Sequence, residues 1–211
     1  MEPIHMQELD AVFYIIILII SVILHEISHG YVAEMFGDPT ARNAGRLTLN
    51  PIKHLDPFGS VILPFIMIVA KTGFVFGWAK PVPYNPNNLR NKRWGTLAIA
   101  SAGIFANLLI AVLFALGMRI LTHYGIANEH AISLIGTIVF LNILLAVFNL
   151  VPIPPLDGSK ILFSLLPARF HAIEAALERY GFILLIVFLV FIWQYFAPAI
   201  FFIFTWLTGI L

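Results

Sequence analysis

The chain has 211 residues, 60% hydrophobic and only 11% charged, with a mean hydropathy of +0.94. A soluble domain carries about 25% charge, so a water-facing globular surface is excluded, and a net charge of +1 without a basic patch interleaved with aromatics excludes nucleic acid as a partner. Cysteine is absent, which rules out disulfides and thiolate metal sites and leaves His, Asp and Glu to hold any metal ion.

The opening MEPIHMQELD lacks the positive n-region of a secretory signal, so the apolar run that follows reads as a retained span. That run, residues 11–36, is long enough to cross a bilayer and contains His25-Glu26-Ile27-Ser28-His29. Histidines at i and i+4 share one helix face and suit a tetrahedral zinc ion; the glutamate between them is placed to act as a general base on water. On a soluble helix such a motif is often accidental. At membrane depth a glutamate costs roughly 2.5–3.5 kcal/mol, and residues kept there at that cost carry function.

Residues 41–93 read as a strand and re-entrant region. The 45–50 stretch (GRLTLN, with Leu47 and Leu49) alternates apolar and polar residues like a short strand. The 78–84 stretch, with Trp78 and Val82 among prolines, reads as extended. Either edge could take up an unwound substrate as an added strand. Between them, 58–70 is apolar but short for a span and contains Pro64. Charge distinguishes crossing from re-entry. Arg42, Arg46, Lys53, Lys71, Lys80, Arg90, Lys92 and Arg93 flank this stretch, whereas the N-terminal tail carries Glu2, Glu8 and Asp10, and the 122–130 loop carries Glu129. If 58–70 dips in and returns, all of the 12 Lys and Arg except Arg119 fall on one side. The positive-inside rule makes that side cytoplasmic and the N-terminus external. His54, in NPIKHLDP, is either a surface loop histidine or a residue at the mouth of the site that gates it or transiently binds metal.

The next span, 94–121, contains Gly103 and Asn107 in SAGIFAN. Small residues permit close helix packing. Asn107 reads equally as an interhelical hydrogen bond or as a donor to the oxyanion of a tetrahedral intermediate. The span at 131–151 runs into NLVPIPPLDG, where Pro152, Pro154 and Pro155 break the helix. A zinc site needs a third protein ligand, and Asp157 can be turned inward to supply it; alternatively it caps the helix that resumes at 159–166. With re-entry, His25, His29 and Asp157 converge near one face, roughly 10–15 Å below the surface by helical rise. Residues 167–180 mix charge with apolar positions at helical spacing, as an interfacial helix does. Residues 181–211 read as one long span bent at Gln194 and Pro198. His5, His123, His130 and His171 lie far from these motifs.

HExxH at His25–His29, Gly-x-x-x-Asn at Gly103–Asn107 and NxxPxPxLDG at Asn149–Gly158, in that order in one apolar chain, resemble the site-2 protease family of intramembrane zinc metalloproteases, peptidase family M50. The resemblance covers most of the chain from His25 to Lys160. It implies one zinc ion held by His25, His29 and Asp157, with Glu26 as general base and Asn107 in the catalytic site. Family members usually have proline after the glycine of the second motif, where this chain has Ile104. No PDZ insertion or CBS pair is visible, so the chain resembles a minimal, core-only member, a single membrane-embedded domain over 1–211. The expected fold is an all-α polytopic membrane protein of about four to six transmembrane helices, with a re-entrant segment and short β-hairpin or strand elements near the active site. The expected activity is hydrolysis of peptide bonds within or near the transmembrane segments of substrate proteins in the cell membrane, nearer its cytoplasmic face. His54, Leu47, Leu49, Trp78 and Val82 are candidates for substrate binding or gating. Two other readings stay open: a membrane zinc transporter, and a catalytically silent relative that binds membrane segments. The few spans and the single ligand cluster argue against the first, and Glu26, which ligation does not need, argues against the second.

Overall fold

The computed structural model describes residues 3–71, 77–126 and 128–209, so residues 73–76 of the polar stretch lie outside the described residues. Four helical stretches are long and apolar enough to cross a membrane: Val12–Met35, Lys92–His123, Glu129–Asn149 and Ala172–Thr208. In chain order the helices are α1 (Pro3–Met35), the single turn α2 (Thr40–Asn43), α3 (Leu63–Val69), α4 (Lys92–His123), α5 (Glu129–Asn149), α6 (Asp157–Leu165), α7 (His171–Val187) and α8 (Ala197–Thr208). Local chemistry sets several of the ends. Asn91 and Asn128 cap α4 and α5 by accepting from Trp94 N–H and Ala131 N–H. The prolines after Asn149 stop α5, since they supply no N–H to continue it.

Helix α4 is the centre of the bundle and touches α1, α5, α6 and α8. Its residues Gly95, Ile99, Gly103, Asn107, Ala111 and Ala115 recur every fourth position and are all buried. Such a row of mostly small side chains lets neighbouring backbones approach closely, which is how helices associate where lipid removes the hydrophobic drive. Ala111 and Ala115 pack with Val139 and Ile143 of α5 and Ile200 of α8. Arg119, the basic residue at the opposite end from the others, donates to the Trp206 carbonyl at the end of α8. A cation there satisfies an otherwise orphaned helix-terminal carbonyl.

Three sequence-based expectations change. First, among the described residues there is no β-strand. The 45–50 stretch is turn and bend, opening on Gly45 at φ 63°. The 78–84 stretch is irregular, but its period of two has a cause. Trp78, Lys80 and Val82 donate their N–H groups to Gly59 O (3.2 Å), His54 O (2.9 Å) and Glu26 Oε2 (2.8 Å), with prolines at 81 and 83 between and after them. It lies along the protein without pairing in a ladder. Second, no break separates an interfacial helix over 167–180 from a span over 181–211. Helix α7 continues through Gly181, where the helix meets the Pro154 carbonyl so closely that a Cβ would lie 2.5 Å from it. Third, where the sequence predicts a bend at Gln194 and Pro198, the helix changes type, wide at Phe188–Ile192 and tight at Trp193–Phe196. Pro198, in the first turn of α8, lacks an N–H and crowds the carbonyl four residues back, which accounts for the shift.

The short apolar helix Pro57–Val69 begins beside its own return. Asp56 caps it, accepting from Phe58 N–H and Gly59 N–H, and by Trp78 the chain is back against Gly59, with Ser60 Oγ donating to Trp78 O at 2.7 Å. Trp78 lies over Gly59, where a Cβ would come within 2.2 Å of the indole. Further fastenings join the flanking loops: Arg46 Nη2 to Lys80 O (2.6 Å) and Arg90 N–H to Phe36 O (3.0 Å). The two flanks of this short helix therefore meet, as a dip and return would require. Because the chain has no cysteine, single cysteines placed at Lys53 and Arg90 can be labelled without background, and both are expected to react with an impermeant reagent from the same side of sealed vesicles. Reaction from opposite sides would contradict re-entry.

Candidate metal centre

His25 and His29 stand one turn apart on α1, with their Nε2 atoms 3.1 Å apart. Each Nε2 is also 3.1 Å from Asp157 Oδ2, and all three residues are buried. Asp157 is the first residue of α6, and its carboxylate makes no capping bond; the Leu156 carbonyl instead accepts from Ser159 N–H and Oγ–H. Of the two readings of Asp157, the structure takes the inward one. Gly158 makes this possible. A Cβ at that position would lie 2.2 Å from Leu150 O and 2.5 Å from Val151 O, so only glycine lets α6 start this close to the end of α5.

Helix α4 supplies the outer partners of both imidazoles. His29 Nδ1–H donates to Ile99 O at 2.6 Å, which leaves its Nε2 as a bare lone pair. His25 Nδ1 lies 3.3 Å from the carboxamide of Asn107, whose Oδ1 is otherwise without a partner. The amide orientation that turns Oδ1 to His25 Nδ1–H satisfies both groups and leaves Nε2 of His25 free as well. Between these two partners sits Gly103, where a Cβ would lie 2.5 Å from the His25 ring. The spacing Gly-x-x-x-Asn therefore has a plain physical meaning: the glycine admits the imidazole and the asparagine holds it.

Three lone-pair atoms then face one another at 3.1 Å, an arrangement that repels unless a cation lies between them. Tetrahedral zinc with bonds of about 2.0–2.1 Å sets its ligand atoms roughly 3.3 Å apart, so the donor set and its spacing fit that ion. Among the described residues these three form the one such cluster of potential ligands.

Glu26, the half-buried residue between the histidines, accepts the Val82 N–H through Oε2 at 2.8 Å. Val82 is buried, and both it and Leu47 lie over Gly30, where a Cβ would come 3.0 Å and 2.5 Å from their side chains. Leu49 is exposed. Trp78 packs between Phe58 and Phe182, with ring centroids 6.0 and 6.1 Å away. His54 is buried in its loop with Nε2–H donating to Thr48 O at 2.8 Å, and it does not join the metal cluster. Sequence reasoning missed two polar groups. Asn142 of α5 donates to Ser21 Oγ at 3.0 Å, one turn before His25. Asp38, fully buried, accepts from Thr40 N–H and Oγ–H, from Asn85 N–H (2.6 Å) and from Asn88 Nδ2 (2.8 Å). Burial opposes its ionisation, but these donors outweigh it and hold the carboxyl below its usual value. A lone amide inside an apolar span was a signal for Asn142; a loop aspartate gave none for Asp38.

Residues 13–129 and 117–192 match peptidase family M50. The chain belongs to that family. It is 39% identical to "Putative zinc metalloprotease YwhC" of Bacillus subtilis over 83% of this chain and 78% of that protein. Identity is 34% to "Putative zinc metalloprotease Rip2" of Mycolicibacterium smegmatis, over 82% of this chain and 64% of that protein. With "Zinc metalloprotease MJ0392" of Methanocaldococcus jannaschii it is 26%, over 76% of this chain and 36% of the relative. No solved structure matches the chain. This family member is a site-2 protease-like zinc metalloprotease and a multi-pass membrane protein.

Two substitutions probe the centre. Asp157→Ala is expected to strip zinc from the purified protein, a larger effect than the roughly 10–100-fold typical when a group that merely supports a ligand is lost. Gly103→Ala, which drives a methyl into the His25 ring, is expected to weaken zinc binding by about that 10–100-fold. Metal analysis and competition with a chelator measure both. A full zinc equivalent at unchanged affinity in Asp157→Ala would remove that residue from the ligand set.

Proposed function

We propose that this family member is an intramembrane endopeptidase, hydrolysing peptide bonds within or near the membrane-spanning segments of other proteins. The supporting observation is the buried triangle of His25 Nε2, His29 Nε2 and Asp157 Oδ2, built among helices long enough to span a bilayer. In this reading His25, His29 and Asp157 hold one zinc ion, which when bound supplies Lewis-acid activation of a water and of the scissile carbonyl. Glu26 takes the proton of the attacking water and delivers it to the departing amine nitrogen. Val82 N–H occupies Oε2, which leaves Oε1 for that proton. Asn107 positions His25 through its Oδ1, and the NH2 group that this orientation leaves free is the candidate donor to the oxyanion of a tetrahedral intermediate.

A helical substrate hides its carbonyls in i to i−4 hydrogen bonds and must unwind before attack. The 78–84 stretch runs beside Glu26, and Pro81 and Pro83 carry no N–H. A substrate strand laid along that side would have to supply the donors itself. Exposed Phe105, Leu109, Leu113 and Ile120 on α4 suit contact with lipid. The basic loops face the cytoplasm of the cell membrane, the N-terminus lies outside, and the centre sits nearer the cytoplasmic face.

Glu26→Gln tests the reading. It is expected to retain zinc while cleavage of a membrane-segment fusion falls by about 10²–10⁴-fold, the usual contribution of a general base. Wild-type protein loaded with zinc that cuts soluble peptides but no membrane-segment fusion would refute the intramembrane assignment. Cleavage by Glu26→Gln at the wild-type rate would remove Glu26 from the mechanism.

A further inference from the structure

Asp38 has no part in the chemistry above, yet it is the most completely surrounded carboxylate in the loops. It has no exposure, and its donors come from two separate stretches of chain: its own turn at Thr40, and Asn85 and Asn88 beyond the re-entrant helix. Beside it Arg90 N–H donates to Phe36 O, and Leu89 packs with Ala33 and Ile99. Only three residues before Asn85, the same stretch gives Val82 N–H to Glu26 Oε2. Val82 and Asn85 are three residues apart, so a fully extended chain separates them by at most roughly 10 Å, and holding Asn85 limits how far Val82 can move from Glu26.

We propose that Asp38 is a positioning residue for Glu26: by clamping Asn85 and Asn88 to the end of α1, it fixes the reach of 77–84 so that Val82 N–H meets Glu26 Oε2. The clamp orients the carboxylate and keeps its other oxygen directed to the reaction. This rests on the reading of Glu26 as general base. An asparagine at 38 would keep one oxygen for Thr40 and Asn88 but set an NH2 group against Asn85 N–H, donor against donor. Asp38→Asn therefore releases this link specifically. Asn85→Pro removes the same donor while leaving the carboxylate in place.

The test is hydrogen exchange of the full-length, zinc-loaded protein, read by mass spectrometry over 81–83. Pro81 and Pro83 have no amide hydrogen, so Val82 provides the single exchanging backbone group of that stretch. Its exchange is expected to be slow in the wild type and about tenfold or more faster in Asp38→Asn, in Asn85→Pro and in Glu26→Ala, since exchange reports local opening. In Asp38→Asn, kcat should fall about tenfold with KM and zinc content unchanged. Unaltered Val82 exchange in both Asp38→Asn and Asn85→Pro would overturn the proposal, as would unaltered exchange in Glu26→Ala or a loss of kcat that tracks loss of zinc. The exchange measurement needs no substrate, so it decides the clamp even if membrane segments are not cut, an outcome that would count against the proposed function instead.

Discussion

Three acceptor atoms facing one another at 3.1 Å are the constraint around which this fold is arranged. Left alone they repel, and a flexible site would let them drift apart. What holds them is mostly backbone. The Ile99 carbonyl takes the outer N–H of His29, and the close start of α6 on the end of α5 carries Asp157 inward. Side chains matter here chiefly by their absence or by their polarity. Gly103 and Gly158 remove atoms that would collide with the His25 ring and the Leu150 carbonyl, and Asn107 gives His25 its one outer partner. Groups of this kind fix which nitrogen of an imidazole is free and in which direction it points, and so tune the metal as much as the ligands do.

The same residues are also the means by which the bundle packs. In a bilayer, helices gain little from hydrophobic burial against each other and depend on close approach and a few polar bonds. The buried row from Gly95 to Ala115 on α4 is a packing seam over most of its length, and the site occupies its middle, where Gly103 and Asn107 replace alanine-like residues. Asn142 and Ser21 extend the polar interior one turn further along α1. Packing and site are therefore not separable on α4: a change that loosens the seam moves the ligands.

How much of this is legible in the sequence follows from the range of the interactions. The i, i+4 histidines and the span lengths are local or compositional, and periodicity and hydropathy are enough to read them. Asp157 was ambiguous because a helix-opening aspartate ordinarily caps its own helix; only the packing of α6 on α5 decides its direction. The strand-like look of 78–84 misled because alternation signals an extended chain but not its partner, and here the partners are two carbonyls and a glutamate of the same protein. The continuous run from α7 to α8 was hidden by Gly181, which reads as an interruption until the Pro154 carbonyl beside it is seen. Asp38 was invisible for a related reason: its bonds to Thr40 are those of an ordinary turn, and its distant partners, the Asn85 N–H and the Asn88 amide, lie nearly fifty positions away.

A glutamate at membrane depth is tolerated only if its charge is compensated, and the partner chosen here matters. A lysine or arginine would neutralise Glu26 and compete for the oxygen that accepts a proton in the proposed mechanism. A main-chain N–H donates one bond, carries no charge to neutralise the carboxylate, and cannot be removed by a change of side chain other than to proline. It must, however, be delivered by a segment that is itself held, because an irregular stretch flanked by prolines has no ladder to fix it. The fastenings at Gly59, His54, Arg46 and Asp38 meet that requirement on both sides of Val82. The short apolar helix Pro57–Val69 and its return are thus more than a detour between spans. They carry one amide to the oxygen of one carboxylate, and the loops at this end of the bundle are packed to keep it there.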